Sequence, residues 1–355
     1  MSAKFKVNPL AKISLFPEMK CELLLEGLSY KLPHTGYISF LSKLKGASGK
    51  DDIIHMIEES INKDAANDIF EDMCSSMILV DEDYEHADMD GARHWIKRGW
   101  LEGLFLHLKT RNISFSDTSG DTGFSAKESL AKLIETEGLP EIWKSYDDCR
   151  KFPLPKPQAI PEKSLEEVLL KRRSNRPWRN SSMSMEHFSS ILHYANVETR
   201  RIRMNLEQNV KSDPELLLNS SFTALETYCL VMSVQDLTPG LYHYDPKSHQ
   251  LSLIREGLFR EEITKCCIGQ SRPHDASCVF MISAVWERFM FRYRHARAYR
   301  TLLTNVSELG HKYLLLGTSL RLSTFMTPAF NDKYVDNFMG FNGYDEAVLY
   351  AIGLG

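Results

Sequence analysis

The chain has no Cys-x-x-Cys pair, no long block of like charge, no internal repeat and no apolar run of membrane-spanning length. Each absence removes a class of protein. Seven cysteines is an odd number and Cys266 and Cys267 are adjacent, which signals neither a disulfide framework nor a zinc ribbon and suits a reducing cytoplasm. The start, Met1-Ser2-Ala3-Lys4-Phe5-Lys6, lacks the uninterrupted apolar stretch of a signal peptide, so neither secretion nor membrane insertion is expected. A net charge of −4 gives no basic excess with which to hold nucleic acid.

What remains has the composition of a soluble globular chain, 43% hydrophobic and 25% charged, and its 355 residues suggest two or three domains. Between Lys12 and Leu32 short apolar bursts separated by Pro17 and Gly27 read as three strands with tight turns. Helical periodicity follows over Gly36 to Leu44, Asp51 to Glu59 and Ala65 to Ser75, and Met77 to Val80 reads as a strand. Gly91 to Thr110 reads as a helical stretch anchored by Trp95, Trp100, Leu104 and Leu106. Its His94 and His107 have no carboxylate or cysteine at ligand spacing, so no metal site is expected. Ser114 to Ser125 reads as a loop.

Four prolines in the eleven residues Lys151 to Pro161 make a semi-rigid extended connector and the best domain boundary. Expected limits are residues 1–85 for a small recognition module, 86–162 for a helical connector with the proline-rich linker, and 163–355 for the main domain. That last part reads as helices Ser164 to Arg172 and Met185 to Tyr194, a helical or loop stretch around Leu206, and a strand from Glu226 to Ser233. A hairpin across Gly240 to Arg255, a strand Val279 to Ala284, a long helix Ala298 to Leu320 and a final strand Glu346 to Ile352 complete it. The fold class is α+β, an antiparallel sheet covered by helices.

Arg172-Arg173-Ser174-Asn175-Arg176 ends the first of those helices and concentrates phosphate-binding groups. Guanidinium forks donate paired, charge-assisted hydrogen bonds to phosphate oxygens, and a serine hydroxyl adds a neutral donor. The competing reading is a solvated last turn whose arginines complement the helix dipole.

Four features occur in order: that cluster, the Gly240 to Pro246 hairpin, the run Tyr293-Arg294-His295-Ala296-Arg297-Ala298-Tyr299-Arg300, and the ending Leu349-Tyr350-Ala351-Ile352-Gly353. From Ser164 to Gly355 the chain thereby resembles the nitroreductase superfamily. Within it, the chain is similar to the SagB/ThcOx-type branch, FMN-dependent dehydrogenases that convert azolines in ribosomally made peptides to thiazoles and oxazoles. The N-terminal module resembles the PqqD-like, winged-helix-related elements that hold a precursor's leader peptide by strand addition; the alternative is an ordinary α+β scaffold.

The resemblance implies that Arg172, Arg173, Ser174 and Arg176 bind the FMN phosphate and the pyrimidine side of the ring, where Arg176 would stabilise the anionic reduced flavin. It puts Asn219, Ser220 and Ser221 where the family has Pro-Ser-x-Gly-Ala, and Pro328-Ala329-Phe330 where a glycine pair offers an amide near flavin N5. Losing glycine restricts how closely backbone approaches the ring. The branch's catalytic lysine-tyrosine pair corresponds to Arg292 and Tyr293. Arginine keeps its proton, so Tyr293 is the expected base, with Arg292 stabilising its phenolate; a basic face of Arg292, Arg294 and Arg297 is the alternative. Asn305-Val306-Ser307-Glu308 likewise replaces the family's Asp-Ala-Gly-His.

The implied partners are a precursor peptide and a second subunit, either a copy of this chain or a related flavoprotein, within a complex that includes a cyclodehydratase. Two other readings stand beside this one. The chain is a non-catalytic or half-active partner subunit, or it is an NAD(P)H-fed reductase of nitro or quinone compounds. The absence of a Gly-x-Gly-x-x-Gly fingerprint decides nothing, because the superfamily does not use one.

Overall fold

The computed structural model describes residues 3–111, 126–178 and 182–355. The serine- and glycine-rich stretch 114–125 lies outside them. The chain divides into two compact units, Met1–Phe115 and Ser116–Gly355.

The first unit holds β1 (Lys4–Val7), β2 (Ala11–Ser14), β3 (Lys20–Leu23), β4 (Leu28–Lys31), α1 (Gly36–Lys43), β5 (Ser48–Gly49), α2 (Lys50–Ser60), α3 (Ala66–Ser75), β6 (Leu79–Asp81), α4 (Met89–Lys97) and α5 (Leu101–Thr110). Its strands form two antiparallel sheets of order β5-β1-β6 and β2-β3-β4. The core gathers Leu23 of β3, Phe40 of α1, and Ile53, Ile57, Phe70 and Met73, whose helical spacing marks the buried faces of α2 and α3. The helical stretch expected from Gly91 to Thr110 divides into two helices. Gly99 sits at φ +73, a left-handed conformation that ends α4 and lets Trp100 start α5.

The second unit holds α6 (Ala126–Glu137), β7 (Lys151–Pro153), α7 (Leu165–Lys171), α8 (Met185–Asn209), β8 (Leu225–Val231), β9 (Gly240–Asp245), β10 (Gln250–Glu256), α9 (Arg260–Cys266), β11 (Cys278–Val285), α10 (Trp286–Met290), α11 (Ala298–Ser319), β12 (Thr324–Thr327), α12 (Asp332–Met339) and β13 (Glu346–Leu354). Two 3-10 turns, Pro214–Asn219 and Ser221–Ala224, lead into β8. All seven strands pair antiparallel in the order β12-β13-β11-β8-β9-β10-β7.

Alternation along β11 sorts its side chains between two cores. Cys278, Phe280, Ile282 and Ala284 meet Phe188 and Ile191 of α8 and Leu309 and Tyr313 of α11; Val279 and Met281 meet Ile263 of α9 and Val335 of α12. A sheet covered on both faces explains why β8 and β11 read as nearly unbroken apolar runs. Ser164 and Ser184 cap α7 and α8, each hydroxyl accepting a backbone N–H three residues on, at 3.1 and 3.2 Å. The first residues of the proline-rich run form β7 and pair with β10, so that run belongs to the second unit. All seven cysteines are free thiols.

Candidate functional site

The arginine-serine cluster leaves α7 through an extended Arg172, turns at Ser174 and Asn175, and is held from below by the end of the sheet. Arg172 is the first extended residue, φ −65 and ψ 119, and its Nη1 donates to Ser174 Oγ at 3.1 Å, which sets two phosphate donors side by side. Thr324 Oγ1 donates to the Arg173 carbonyl (3.3 Å) and Ser323 Oγ to the Pro177 carbonyl (2.6 Å). Arg272 Nη2 donates to the Arg176 carbonyl (2.6 Å), while the Trp178 indole donates to the Arg272 carbonyl (3.0 Å) and stacks under its guanidinium at 4.4 Å. Burial raises the pKa of the Tyr350 phenol and the charge of Arg172 opposes that rise.

Among the described residues Arg172, Arg173 and Arg176 form no ion pair with a carboxylate. Three guanidinium groups on five residues with no internal anion fit the phosphate end of a flavin mononucleotide. The ring end fits less well. The Ala329 amide donates to Thr327 Oγ1 (3.1 Å), which also accepts from Gln270, so that amide is already engaged within its own loop.

Asn219 and Ser221 lie elsewhere on this unit. They line a cavity of about 450 Å³ with Glu198, Arg201, Asn205 and Phe222. Ser220 between them is buried and its hydroxyl donates to the Leu217 carbonyl (2.7 Å), so it serves the turn rather than the cavity. Tyr293 occupies a third place, in the wall of an open cleft of about 590 Å³ lined by Trp286, Phe289, Met290, Tyr299 and Leu302, with Glu137 and Glu287 among its acidic residues. The Tyr293 ring packs on Phe289 at 4.7 Å, and the Arg292 guanidinium carbon lies 5.6 Å from the Tyr293 ring centroid. Arg294 pairs with Glu137 (2.5 Å).

The structure thus brings the arginine cluster and the Ala329 loop to one end of the sheet, joined through β12, and leaves the other two groups apart. Sequence reasoning missed Arg272, whose two contacts with the cluster span nearly a hundred residues. It also missed a buried ionic group around Glu226, although a lone carboxylate inside the apolar run Leu225 to Val231 was a visible signal. Among the described residues no group of three or more His, Cys, Asp or Glu is placed to hold a metal, and no helix is long and apolar enough to cross a membrane.

Along its whole length the chain is similar to the trifolitoxin operon protein TfxC of Rhizobium leguminosarum bv. trifolii, at 28% identity over 99% of both chains. It is 23% identical to the trifolitoxin-processing protein TfxB of the same organism, over 48% of this chain and 47% of that one. A nitroreductase-like crystal structure from Anabaena variabilis superposes at a TM-score of 0.50 with 25% identity, covering 72% of this chain and 53% of that one. Residues 169–355, from the end of α7 to the last strand, match the Nitroreductase family. The helix-covered antiparallel sheet is therefore that of a nitroreductase, and the chain belongs to that family.

Proposed function

We propose that the protein is an FMN-dependent oxidoreductase that dehydrogenates azoline rings in a ribosomally made peptide. The observation that carries the catalytic part is Tyr293, an ionisable phenol beside a guanidinium in the wall of an aromatic cleft. The peptide substrate is supported by the end-to-end likeness to TfxC, reinforced by TfxB, whose name states a processing role in the same toxin's production.

Arg172 and Ser174 would hold the phosphate and Arg176 the pyrimidine edge of the ring. Bound there, FMN supplies the acceptor for a hydride, and dioxygen takes the electrons on. Tyr293, as phenolate, takes the proton from the azoline carbon next to the one that loses hydride, and the charge of Arg292 balances its oxygen before that transfer. Trp286, Phe289 and Tyr299 would flank the peptide ring in this cleft. A second subunit, a copy or a related flavoprotein, would bring its Asn219, Ser221 and Tyr293 to the arginine cluster of its neighbour. The first unit would take the leader peptide at an edge of the sheet β2-β3-β4. The setting is the cytoplasm, in company with the enzyme that makes the azolines.

A second reading, a partner subunit without activity of its own, is favoured by one observation: the Ala329 amide is committed to Thr327. Visible absorption of the purified protein separates the two. The oxidised-flavin bands, with FMN released on denaturation, support the enzyme; a colourless protein that takes up no added FMN sinks it. Tyr293→Phe should keep its flavin and lose about 10²- to 10⁴-fold in turnover of an azoline peptide, and undiminished turnover would refute Tyr293 as the base.

A further inference from the structure

The two candidate segments that lie apart on the surface hang from one buried ionic group. Glu226 on β8 is almost wholly enclosed, with 1% of its side chain exposed, as is Arg203 on α8; Arg288 on α10 is 5% exposed. Arg203 Nη2 donates to Glu226 Oε1 (2.9 Å) and to the Thr223 (2.9 Å) and Leu225 (2.6 Å) carbonyls. Arg288 Nη1 donates to the same carboxylate oxygen and to the Thr223 carbonyl (3.3 Å), and its Nε to the Glu141 carbonyl (2.5 Å). His243 Nε2 meets the other carboxylate oxygen at 2.9 Å.

Arg203 leads to one segment and Arg288 to both. Thr223, whose carbonyl accepts from both, is bound through its own N–H (2.9 Å) and hydroxyl (2.6 Å) to the Ser220 carbonyl, so the pair fixes the turn that presents Asn219 and Ser221. Arg288 sits in α10, and the backbone bonds Phe291 N to Glu287 O (2.8 Å) and Tyr293 N to Phe289 O (3.1 Å) carry that helix directly into the Tyr293 loop. Phe291 closes the circuit by packing with Leu217 and Leu206. Ser220, Thr223, Arg288 and Phe291 line one cavity of about 20 Å³.

We propose that Arg288 and Arg203, gathered on Glu226, are positioning residues that set the Asn219–Ser221 turn and the Tyr293 loop in fixed register with each other. What the two segments do rests on the function proposed above; how they are held does not. Only a guanidinium serves here. A planar fork reaches several acceptors at once, for Arg203 three within residues 223–226 and for Arg288 the Thr223 carbonyl, the Glu226 carboxylate and the distant Glu141 carbonyl, whereas a lysine ammonium on a flexible stem keeps the charge but reaches fewer of them.

The test is hydrogen–deuterium exchange on the full chain, wild type against Arg288→Lys and Arg203→Lys, read by peptide. Arg288→Lys should speed exchange about tenfold in both 219–224 and 289–293, with β8 and β11 unchanged. Arg203→Lys should loosen 219–224 alone, since Arg203 has no contact with α10 among its bonds. Unaltered exchange in both segments, or a rise spread evenly over the sheet, overturns the proposal. Should Arg288→Lys fail to fold, the one-sided pattern of Arg203→Lys still decides it. In parallel, fluorescence titration with FMN should show about tenfold weaker uptake by Arg288→Lys. A wild type that takes up no FMN refutes the proposed function, and the exchange pattern alone then decides the positioning role.

Discussion

Replacing Glu226 with glutamine should be among the most damaging isosteric changes available in this chain. Burial by itself pushes the Glu226 carboxyl up, but Arg203, His243 and Arg288 outweigh it and hold it below the ordinary carboxylate range. Glutamine fills the same space and keeps one acceptor, yet leaves two guanidinium groups enclosed without their anion. Breaking a buried pair from one side costs about 3–5 kcal/mol, and the retained acceptor argues for the lower end, about 3. For a unit of this size about 2–4 °C is lost per kcal/mol, so the melting temperature of the second unit should fall by roughly 6–12 °C at neutral pH. The sign with pH follows from linkage. A carboxyl whose folded pKa is depressed contributes stability that is complete above its ordinary value of 4.5 and is lost as pH falls through the lower folded value. Wild type should therefore lose this advantage on acidification while Glu226→Gln does not, and the two melting curves should converge. Near-UV circular dichroism during heating, from neutral pH into acid, measures both. A drop worth less than about 1 kcal/mol, or a gap that stays constant into acid, refutes the reasoning.

Two further outcomes follow from close contacts. A Cβ at Gly310 would lie 2.6 Å from the Tyr350 ring, so Gly310→Ala should cost about 1–3 kcal/mol in thermal unfolding and displace the ring that neighbours Arg172. Arg272→Ala removes the bond to the Arg176 carbonyl and the stack on Trp178, and should weaken FMN uptake about tenfold, within the range for losing a charged hydrogen bond, with little change in melting; unchanged uptake in the fluorescence titration would show that the cluster holds itself.

Much of the architecture was written in local periodicity. The strands between Lys12 and Leu32, the helices α1 to α3, the β9-β10 hairpin and the long helix α11 all stand where apolar spacing put them, because each buries one face on a core built from its own pattern. Misses came where tertiary contacts outweighed the local signal. Helix α8 runs on to Asn209, well past the expected Tyr194, since its later turns bury Thr199, Arg203 and Leu206 among otherwise polar residues. β7 was hidden in the proline-rich run it opens, and its own Pro153 is tolerated because an edge strand is paired on one side only. The arginine cluster was legible as chemistry, in residue types and order. The bonds that hold it, from Arg272, Ser323 and Thr324, cross about a hundred residues or more of sequence and leave no mark in any short window.

The short strand β7 has a meaning beyond its three residues. By pairing Lys151 to Pro153 with Ser252 to Gln250 it covers the outer backbone of β10, and the prolines that follow halt the ladder before another chain can extend it. Lys151 also donates from its ammonium to Ser252 Oγ and to the Tyr146 carbonyl, fastening that cover to the sheet. The family-matched segment begins only at residue 169, so the guard on its sheet edge is contributed from upstream. Cut down to that segment, the fold would present an unpaired β10 to its neighbours, and the part that looks like a complete nitroreductase would become a self-adhesive one.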